Sequence, residues 1–379
     1  MARVPRLLAV DLPNGGALRD AVARAWDAGD AVLVLDQRLP HAERRRTALG
    51  ARSAAVVGPD GEQPLADARP VEPGDAVVVA TSGTGGTPRL VVHSRAGLDA
   101  AVAASSAVVP SGPSDHWYGC LPCSHIGGLN VLLRARAAGA RLTLVPRAEP
   151  ASIDAAGHGG ATHVSLVPVL AARVDTTRWR VVLVGGAAAA GDLPGRVVRT
   201  YGLTESCGGV VYDGVPLPGV DVRLRDGEIL LRGAMVATRL RDGSPVRDAE
   251  GWLATGDLGE WRGDRLHVLG RRDDLIVTGG NNVWPDAVER ALADHPDVAD
   301  IAVRGMPDPE WGAVVTAWVV PAPGAAPTLA ALRAHAERTL PSYAVPRRLE
   351  IAVAIPRTAL GKPRRAELGA PGAGDGVAR

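Results

Sequence analysis

The N-terminal half of the chain alternates between a helical and a strand-like pattern of apolar residues. Leu18, Val22, Ala25 and Trp26 recur at helical spacing, which predicts a helix over 17–28. Short apolar runs bounded by glycine follow and are typical of buried parallel strands. These runs lie at 31–35, 54–57, 76–80, 142–145 and 181–184, with a helix-compatible stretch at 97–107. This half is therefore predicted to be α/β.

Beyond Tyr212 the pattern changes to alternating apolar and polar residues separated by turn pairs. Asp226-Gly227 is a hairpin signal between two such segments, so we expect a small β-barrel-like subdomain here. A charged joint at 270–274 comes next. The pattern then predicts a helix over 285–293, strands over 298–304 and 313–320, and a helix capped by Thr328 with Leu329, Leu332, Ala336 and Leu340 on one face. We expect a domain boundary at the joint, with a large domain over 1–270 and a smaller, mobile α+β domain over 271–379.

Composition and charge exclude several classes of protein. The chain has 379 residues, 46% of them hydrophobic and 22% charged, which fits two or three packed domains and argues against disorder. The 42 lysines and arginines nearly balance 41 acidic residues, so we expect no nucleic acid partner. No apolar run or leader predicts membrane insertion, and we expect a cytoplasmic protein. Three cysteines are too few for a disulfide framework, and Cys120 and Cys123 lack the second pair of a zinc site.

Lysine is nearly absent. Among the 42 lysine and arginine residues, only Lys362 is a lysine. An ammonium is a compact point charge, whereas a guanidinium is a planar fork. A single lysine in such a chain therefore indicates a position where the point charge is needed, with chance survival as the alternative.

Glycines and hydroxyl groups crowd one loop between two apolar strands. Its sequence is Thr81-Ser82-Gly83-Thr84-Gly85-Gly86-Thr87-Pro88-Arg89. Glycines let backbone amides approach an anion, the hydroxyls add donors and Arg89 adds charge, so the loop suits a triphosphate. It is not a Walker loop, because the Gly-Lys-Ser/Thr ending is missing. A plain connection between strands is the alternative.

Three further segments carry candidate chemistry. Gly185-Gly186-Ala187 and the run from Tyr201 to Ser206 follow predicted strands as loops, and ligands gather at the carboxyl ends of strands in open α/β sheets. Tyr201 can stack on a base, and Glu205 can hold Mg²⁺ bound to phosphate oxygens. Thr255-Gly256-Asp257 predicts a tight turn whose carboxylate suits the two hydroxyls of a ribose. Each segment taken alone also fits ordinary packing or a solvated loop.

Taken in order, the segments at 81–89, 201–206, 255–257, 270–274 and 356–362 resemble the successive motifs of the adenylate-forming superfamily of acyl-CoA synthetases, adenylation domains and luciferases. The first segment departs from the family pattern, since Gly85 replaces a threonine and Arg89 replaces a lysine. The stretches 122–129, 162–168 and 200–217 are similar to those of o-succinylbenzoate:CoA ligases of menaquinone biosynthesis. The resemblance thus implies an ATP-dependent ligase that forms an acyl adenylate and then a coenzyme A thioester.

The resemblance also implies roles for individual residues, with ATP, Mg²⁺, coenzyme A and a small carboxylic acid as partners. It implies a catalytic role for Lys362 and Glu205, with Glu205 as the Mg²⁺ ligand. It implies nucleotide binding by Thr81, Ser82, Gly83, Thr84, Thr87, Arg89, Gly185, Gly186, Ala187, Tyr201, Gly202, Thr204, Asp257 and Arg271. It implies acid binding by His125, Ser165 and Arg173, and a hinge at Asp273.

Two other functions stay open at this point. One is a stand-alone adenylating enzyme that loads another acid onto coenzyme A or a carrier protein. The other is an inactive ATP-binding relative with a scaffold role, which would account for the altered phosphate loop. A homodimer also stays open.

Overall fold

Strands and helices alternate through the N-terminal half, as the apolar pattern predicts. The computed structural model describes residues 3–81, 88–186, 194–358 and 361–369. Up to residue 203 the elements are β1 (Leu7–Val10), α1 (Gly16–Asp27), β2 (Ala31–Val34), α2 (His41–Gly50), β3 (Ala55–Gly58), β4 (Gly61–Pro64), β5 (Asp75–Thr81), β6 (Arg89–Ser94), α3 (Arg95–Val108), β7 (His116–Gly119), α4 (Ile126–Ala138), β8 (Arg141–Leu144), α5 (Pro150–His158), β9 (His163–Leu166), α6 (Pro168–Ala171), β10 (Val181–Gly185) and β11 (Val197–Leu203). The α/β prediction for this half is confirmed.

The second half is mainly strand, with two helices near its end. Its elements are β12 (Gly208–Tyr212), β13 (Val215–Pro216), β14 (Val220–Arg225), β15 (Glu228–Gly233), β16 (Arg239–Leu240), β17 (Leu253–Arg262), β18 (Arg265–Arg271), β19 (Ile276–Thr278), β20 (Asn281–Val283), α7 (Pro285–Leu292), β21 (Val298–Asp308), β22 (Gly312–Pro321), α8 (Leu329–Ala336) and β23 (Arg348–Ile351). Short 3-10 turns lie at Thr176–Arg178, Arg272–Asp274 and Arg365–Glu367.

The strands form four sheets. The first has the order β16-β6-β5-β2-β1-β3-β4, and the second has the order β13-β12-β11-β10-β9-β7-β8. The centre of each is parallel, as the β2–β1–β3 and β11–β10–β9 pairings illustrate, and the outer strands pair antiparallel. The predicted barrel-like subdomain is a four-stranded sheet in the order β14-β15-β17-β18. The last sheet runs β20-β19-β22-β21, with β23 parallel to β22.

The chain divides into two compact units. The large unit comprises Met1–Arg223, Leu230–Thr255 and Gly263–Leu266, and the small unit comprises Leu224–Ile229, Gly256–Arg262 and His267–Arg379. A domain boundary at 270 stays a prediction. The first, second and last sheets each pack against an apolar core, and in the small unit Val288, Leu292, Val303 and Leu332 are fully buried together.

Local sequence signals account for several element boundaries. Asp226 and Gly227 have φ of 52° and 77°, which fits the type I′ turn that suits a tight hairpin. Ser94 accepts a hydrogen bond from the Gly97 amide at the start of α3. Thr328 accepts one from the Ala331 amide at the start of α8.

Three local predictions are wrong. Thr255-Gly256-Asp257 lies inside β17 and is not a turn. Thr255 and Asp257 are buried and alternate with more exposed residues along the strand, and Gly256 has a φ of 72°. Tyr201 and Gly202 lie inside β11, whose register shifts between them through pairing with β12, so they are not a loop. Helix α8 ends at Ala336, which leaves Leu340 outside it.

Among the described helices, none is long and apolar enough to cross a membrane.

Candidate nucleotide and acyl site

Strands β5 and β6 bring the two ends of the predicted phosphate loop together. They pair antiparallel, with Thr81 opposite Arg89, and the Thr81 hydroxyl donates to the Arg89 carbonyl over 3.3 Å. Ser82, Gly83, Thr84 and Thr87 lie outside the described residues.

Arg89 meets Glu205, which comes from the end of the second sheet. Their side chains approach to 3.4 Å between Nη1 and Oε1, with Arg89 about half exposed and the Glu205 side chain only 13% exposed. Arg89 thus places a cation beside this carboxylate, and its role in phosphate binding stays a prediction. Two residues that the sequence assigns to phosphate and to Mg²⁺ lie in direct contact.

The turn that carries Glu205 is held by groups that sequence reasoning missed. The Ala237 amide donates to the Glu205 carbonyl over 2.8 Å, and Asn130 Nδ2 donates to the Cys207 carbonyl over 2.7 Å. His93 Nε2 lies 2.9 Å from the Thr204 carbonyl. The only sequence signal at His93 is a polar residue in an apolar strand, which does not reveal its partner.

The Gly185 and Tyr201 segments form a surface with little side-chain volume. Gly185 stands opposite Thr200 in the β10–β11 pair, and a Cβ there would lie 2.3 Å from the threonine Oγ1. A Cβ at Gly202 would lie 1.8 Å from a backbone oxygen, and Gly186 has a φ of 92°. Tyr201 is half-buried beside this surface. Such a slot suits a flat ring, and Ala187 lies outside the described residues.

A divalent cation at Glu205 would depend on the nucleotide for most of its ligands. Within the described ranges no three His, Cys, Asp or Glu side chains converge to hold a metal. Mg²⁺ is commonly bound by one or two carboxylates together with substrate phosphates and water, so a single, largely buried carboxylate fits it. Burial raises the pKa of Cys120 and Cys123 to about 12, which disfavours the thiolates that zinc needs.

The three predicted acid-binding residues lie in different settings. Ser165 is buried in β9, and its hydroxyl has no hydrogen-bond partner among the described residues. His125 precedes α4 as its N-terminal cap residue. Arg173 is exposed beyond α6, where its side chain makes no ion pair within the described ranges. Among the described residues, Ser165 therefore offers a buried hydroxyl without a partner, and no hydrogen bond joins Arg173 to it.

His125 lies in a charged cluster that sequence reasoning did not identify. Arg38 Nη2 is 2.6 Å from His125 Nε2, and Asp36 Oδ2 is 3.5 Å from it. Burial opposes ionisation of Asp36, but its contacts with His125 and Arg38 outweigh burial and hold its pKa well below the usual range. The imidazole is therefore oriented by an ionised carboxylate.

In the small unit, Asp257 and Arg271 face each other at 3.3 Å on neighbouring strands β17 and β18. Glu228, also missed by sequence reasoning, accepts from the Gly256 amide and from Arg272 over 3.0 Å each. Glu228 thus holds the backbone amide directly before Asp257, whose carboxylate is largely buried, and the guanidinium of Arg272. An anchored carboxylate beside a guanidinium can bind hydroxyl and phosphate groups together.

Lys362 lies in a narrow loop of the small unit. Thr358 and Lys362 exchange hydrogen bonds, and Arg357 donates to the Gly361 carbonyl over 2.6 Å while pairing with Asp300. Residue 362 is exposed, yet crowding around its ammonium lowers the pKa of Lys362, an effect that Asp257 opposes.

Asp273 lies exposed in the 3-10 turn over Arg272–Asp274, between β18 and β19. A short turn at this place is compatible with a hinge, and the role stays a prediction.

Comparison with known proteins identifies the family. Residues 16–239 match the AMP-binding enzyme family, and residues 287–362 match the AMP-binding enzyme C-terminal domain. A probable 2-succinylbenzoate–CoA ligase from Mycobacterium tuberculosis is 41% identical over an alignment of 328 residues, and the match covers 77% of this chain and 83% of that protein. The 2-succinylbenzoate–CoA ligase of Salmonella typhimurium is 35% identical over 61% of this chain and 55% of its own.

Solved structures agree with the sequence match. The o-succinylbenzoate CoA synthetase of Bacillus subtilis, in complex with its acyl-adenylate intermediate, has a TM-score of 0.85 and 25% identity, covering 99% of this chain and 90% of that one. The amide bond synthetase McbA from Marinactinospora thermotolerans has a TM-score of 0.80 and 28% identity over 97% of this chain and 90% of its own. The chain therefore belongs to the AMP-binding, adenylate-forming enzyme family.

Proposed function

We propose that this enzyme is an ATP- and Mg²⁺-dependent acid:CoA ligase that converts 2-succinylbenzoate to its coenzyme A thioester in menaquinone biosynthesis. The observation that carries the choice of acid is the 41% identity to the mycobacterial ligase over 77% of this chain. The contact between Arg89 and Glu205 supports the nucleotide half of the proposal, because it joins a cation and a carboxylate at the predicted phosphate loop.

The reaction has two displacement steps. First, a carboxylate oxygen of the acid attacks the α-phosphorus of ATP, the bond to the bridging oxygen breaks, and pyrophosphate leaves. Then coenzyme A, whose thiol gives up its proton to solvent, attacks the acyl carbonyl carbon through sulfur, and AMP leaves with the electron pair of the broken C–O bond. Neither step needs a covalent bond to the enzyme, so the protein contributes positioning and charge stabilisation.

The large unit supplies groups for the triphosphate and the base. We assign Thr81, Arg89 and the loop between them to the β- and γ-phosphates, and the surface beside Tyr201 to adenine. Bound Mg²⁺ would neutralise phosphate charge, with Glu205 as its protein ligand. Arg89 is then free to leave Glu205 and to pair with phosphate oxygens, because a phosphate is the stronger anionic partner for a guanidinium.

The small unit supplies groups for the ribose and the reacting phosphate. We assign Asp257 to the ribose hydroxyls, since a carboxylate held by neighbouring strands accepts two hydrogen bonds without moving. Arg271 would bind ribose or phosphate. Lys362 would stabilise the negative charge that develops on the α-phosphate oxygens during the first step.

The acid would bind in the large unit. Ser165 offers a buried hydroxyl that lacks a partner in the described part of the chain, and a bound acid would satisfy it. We assign His125 to the acyl group and Arg173 to the second carboxylate of the dianion.

Because ATP and coenzyme A are cytoplasmic metabolites, we propose a cytoplasmic location. Light scattering of the purified enzyme tests whether it is a homodimer.

Pyrophosphate exchange with a panel of acids tests the proposed substrate. We expect 2-succinylbenzoate to give the highest kcat/KM for exchange and to yield a thioester with coenzyme A. Benzoate and succinate are the matched controls, because each carries only part of the substrate. A preference for an unrelated acid would contradict the assignment while leaving adenylation intact.

A second function is favoured by the likeness to the amide bond synthetase. An enzyme of that kind would form the same adenylate and transfer it to an amine. Incubation of the adenylate-forming mixture with coenzyme A or with simple amines separates the two, because only one acceptor should accelerate AMP release.

A further inference from the structure

His93 makes a directed contact with the backbone that precedes Glu205. It lies in β6 and is 1% exposed, and its Nε2 is 2.9 Å from the Thr204 carbonyl oxygen. A carbonyl only accepts, so Nε2 carries the proton and donates. Burial lowers the pKa of His93 to about 4, so the imidazole is neutral at ordinary pH and the other ring nitrogen carries no proton.

The turn after β11 depends on such contacts. Cys207 has a φ of 59°, a conformation that takes the backbone out of the strand. The carbonyls of Thr204, Glu205 and Cys207 therefore accept hydrogen bonds from outside the turn, from His93, the Ala237 amide and Asn130 respectively. Each donor comes from a different part of the large unit. Three hydrogen bonds from separate donors thus set the direction in which the Glu205 side chain leaves the turn.

Strand β6 holds this turn at two points. Arg89 and His93 are four residues apart in β6, and side chains at even spacing point to the same face of a strand. Arg89 contacts the Glu205 carboxylate, whereas His93 holds the backbone one residue before it. When a nucleotide draws Arg89 onto its phosphates, the His93 contact remains.

We propose that His93 is a positioning residue for the metal–nucleotide site, which acts by holding the Thr204 carbonyl so that the Glu205 carboxylate stays in place. This inference rests on the proposed nucleotide role of Glu205, and not on the identity of the acid. Mg²⁺ demands near-ideal octahedral geometry, so a small displacement of its one carboxylate ligand weakens binding. Loss of the donor would leave the Thr204 carbonyl with only the Cys207 amide, 3.0 Å away within the same turn, and would remove the contact that ties this carbonyl to β6.

His93→Leu removes the donor and keeps a similar volume. Leucine is preferable to alanine because a cavity of about 140 Å³ borders His93, and a truncated side chain would let water reach the Thr204 carbonyl. His93→Gln is the conservative variant, since its amide nitrogen can take the place of Nε2. His93→Asn is too short to reach the carbonyl. His163→Leu is the matched control, because His163 is equally buried at the start of β9 and contacts no residue of the turn.

Binding of Mn²⁺–ATP in the absence of any acid, measured by electron paramagnetic resonance, is the primary readout. We expect about tenfold weaker binding in His93→Leu and His93→Asn, and near-normal binding in His93→Gln and His163→Leu. In pyrophosphate-exchange assays, the variants that bind Mn²⁺–ATP weakly should need a higher Mg²⁺ concentration. Their KM for the acid should be unchanged. Thermal unfolding identifies variants that fail to fold, and the Gln and Asn pair decides the matter if the leucine variant does not fold.

Two results would overturn the proposal. One is normal Mn²⁺–ATP binding in folded His93→Leu or His93→Asn, and the other is an equal loss in His163→Leu. If the unmodified enzyme binds Mn²⁺–ATP but does not activate 2-succinylbenzoate, the proposed acid fails and the inference about His93 stands.

Discussion

At the scale of single residues, the lone lysine is the most specific element of the candidate site. Its loop is fixed by Arg357, which pairs with Asp300 of β21, so the position of the ammonium depends on the fold of the small unit. Crowding lowers the pKa of Lys362, while Asp257 keeps the charged form favoured. The residue thus combines a fixed backbone with a positive charge that solvent can reach.

Lys362→Ala should lower pyrophosphate exchange by about 100- to 1,000-fold, because a charge aimed at the reacting phosphate is removed. Lys362→Arg should also be poor, since a planar fork does not replace a point charge on a four-carbon stem. Rapid-quench assays with a preformed acyl adenylate should show normal thioester formation in both variants. Wild-type exchange in Lys362→Arg would remove Lys362 from the first step.

At the scale of elements, one buried arginine joins the lysine segment to the rest of the small unit. Arg365 lies three residues after Lys362, with its side chain 12% exposed. It donates to the Val303 carbonyl and to Glu289 of α7, and pairs with Asp286 and with Asp274 of the 3-10 turn. Burial raises the pKa of Glu289 and Asp274, and the charge of Arg365 opposes this rise. Arg365 thus connects the segment that carries Lys362 to helix α7 and to the 3-10 turn.

Arg365→Met should destabilise the small unit by about 3–5 kcal/mol at pH 8, because three carboxylates lose their shared partner. Without that charge the folded-state pKa values of Glu289 and Asp274 rise further, so the folded form binds more protons than the unfolded one. The free energy of unfolding of the variant therefore falls as pH rises from about 5 to about 8. The loss of stability relative to the unmodified protein should thus be smaller near pH 5 than at pH 8. Chemical denaturation at both pH values measures it.

Arg364→Met is the control for this prediction. Arg364 and its partner Glu367 are both about half exposed, and a solvated pair of this kind contributes little. Its free energy of unfolding should change by less than about 1 kcal/mol. Equal losses in the two variants would mean that the cluster around Arg365 has no special role.

At the scale of the whole molecule, the two half-reactions place conflicting demands on one site. Lys362 must reach the α-phosphate in the first step, and a thiol must reach the acyl carbon in the second. A change of arrangement at a short hinge would serve both, and hinges are a few residues that absorb large changes in φ and ψ. Asp273 lies exposed in the 3-10 turn after β18, which suits this role.

Asp273→Pro should change the two half-reactions unequally. Proline disfavours a helical conformation at the residue before it, and Arg272 has that conformation in the 3-10 turn. One arrangement would therefore be favoured over the other. Rapid-quench measurement of adenylation and of thioester formation tests this, with Asp273→Ala as a control that keeps both rates. Equal losses in the proline variant would indicate general damage, and no loss would place the hinge elsewhere.

The sequence by itself determined the α/β class, the β-rich second half, the Asp226-Gly227 hairpin and the family. Apolar periodicity and turn chemistry are local properties, and five motifs in a fixed order identify the family without any knowledge of distances. Lys362 stood out for a similar reason, since composition alone shows that it is the single lysine of the chain. The roles that the motifs imply for individual residues stay predictions.

Only the tertiary structure decided which residues meet. Thr255-Gly256-Asp257 looked like a turn because its residues favour turns, yet strand pairing on both sides placed it inside β17. His93, Glu228, Asp286 and Glu289 lie in none of the five motifs, because each acts through a group distant in sequence. Their hydrogen bonds and ion pairs exist only once the sheets have formed.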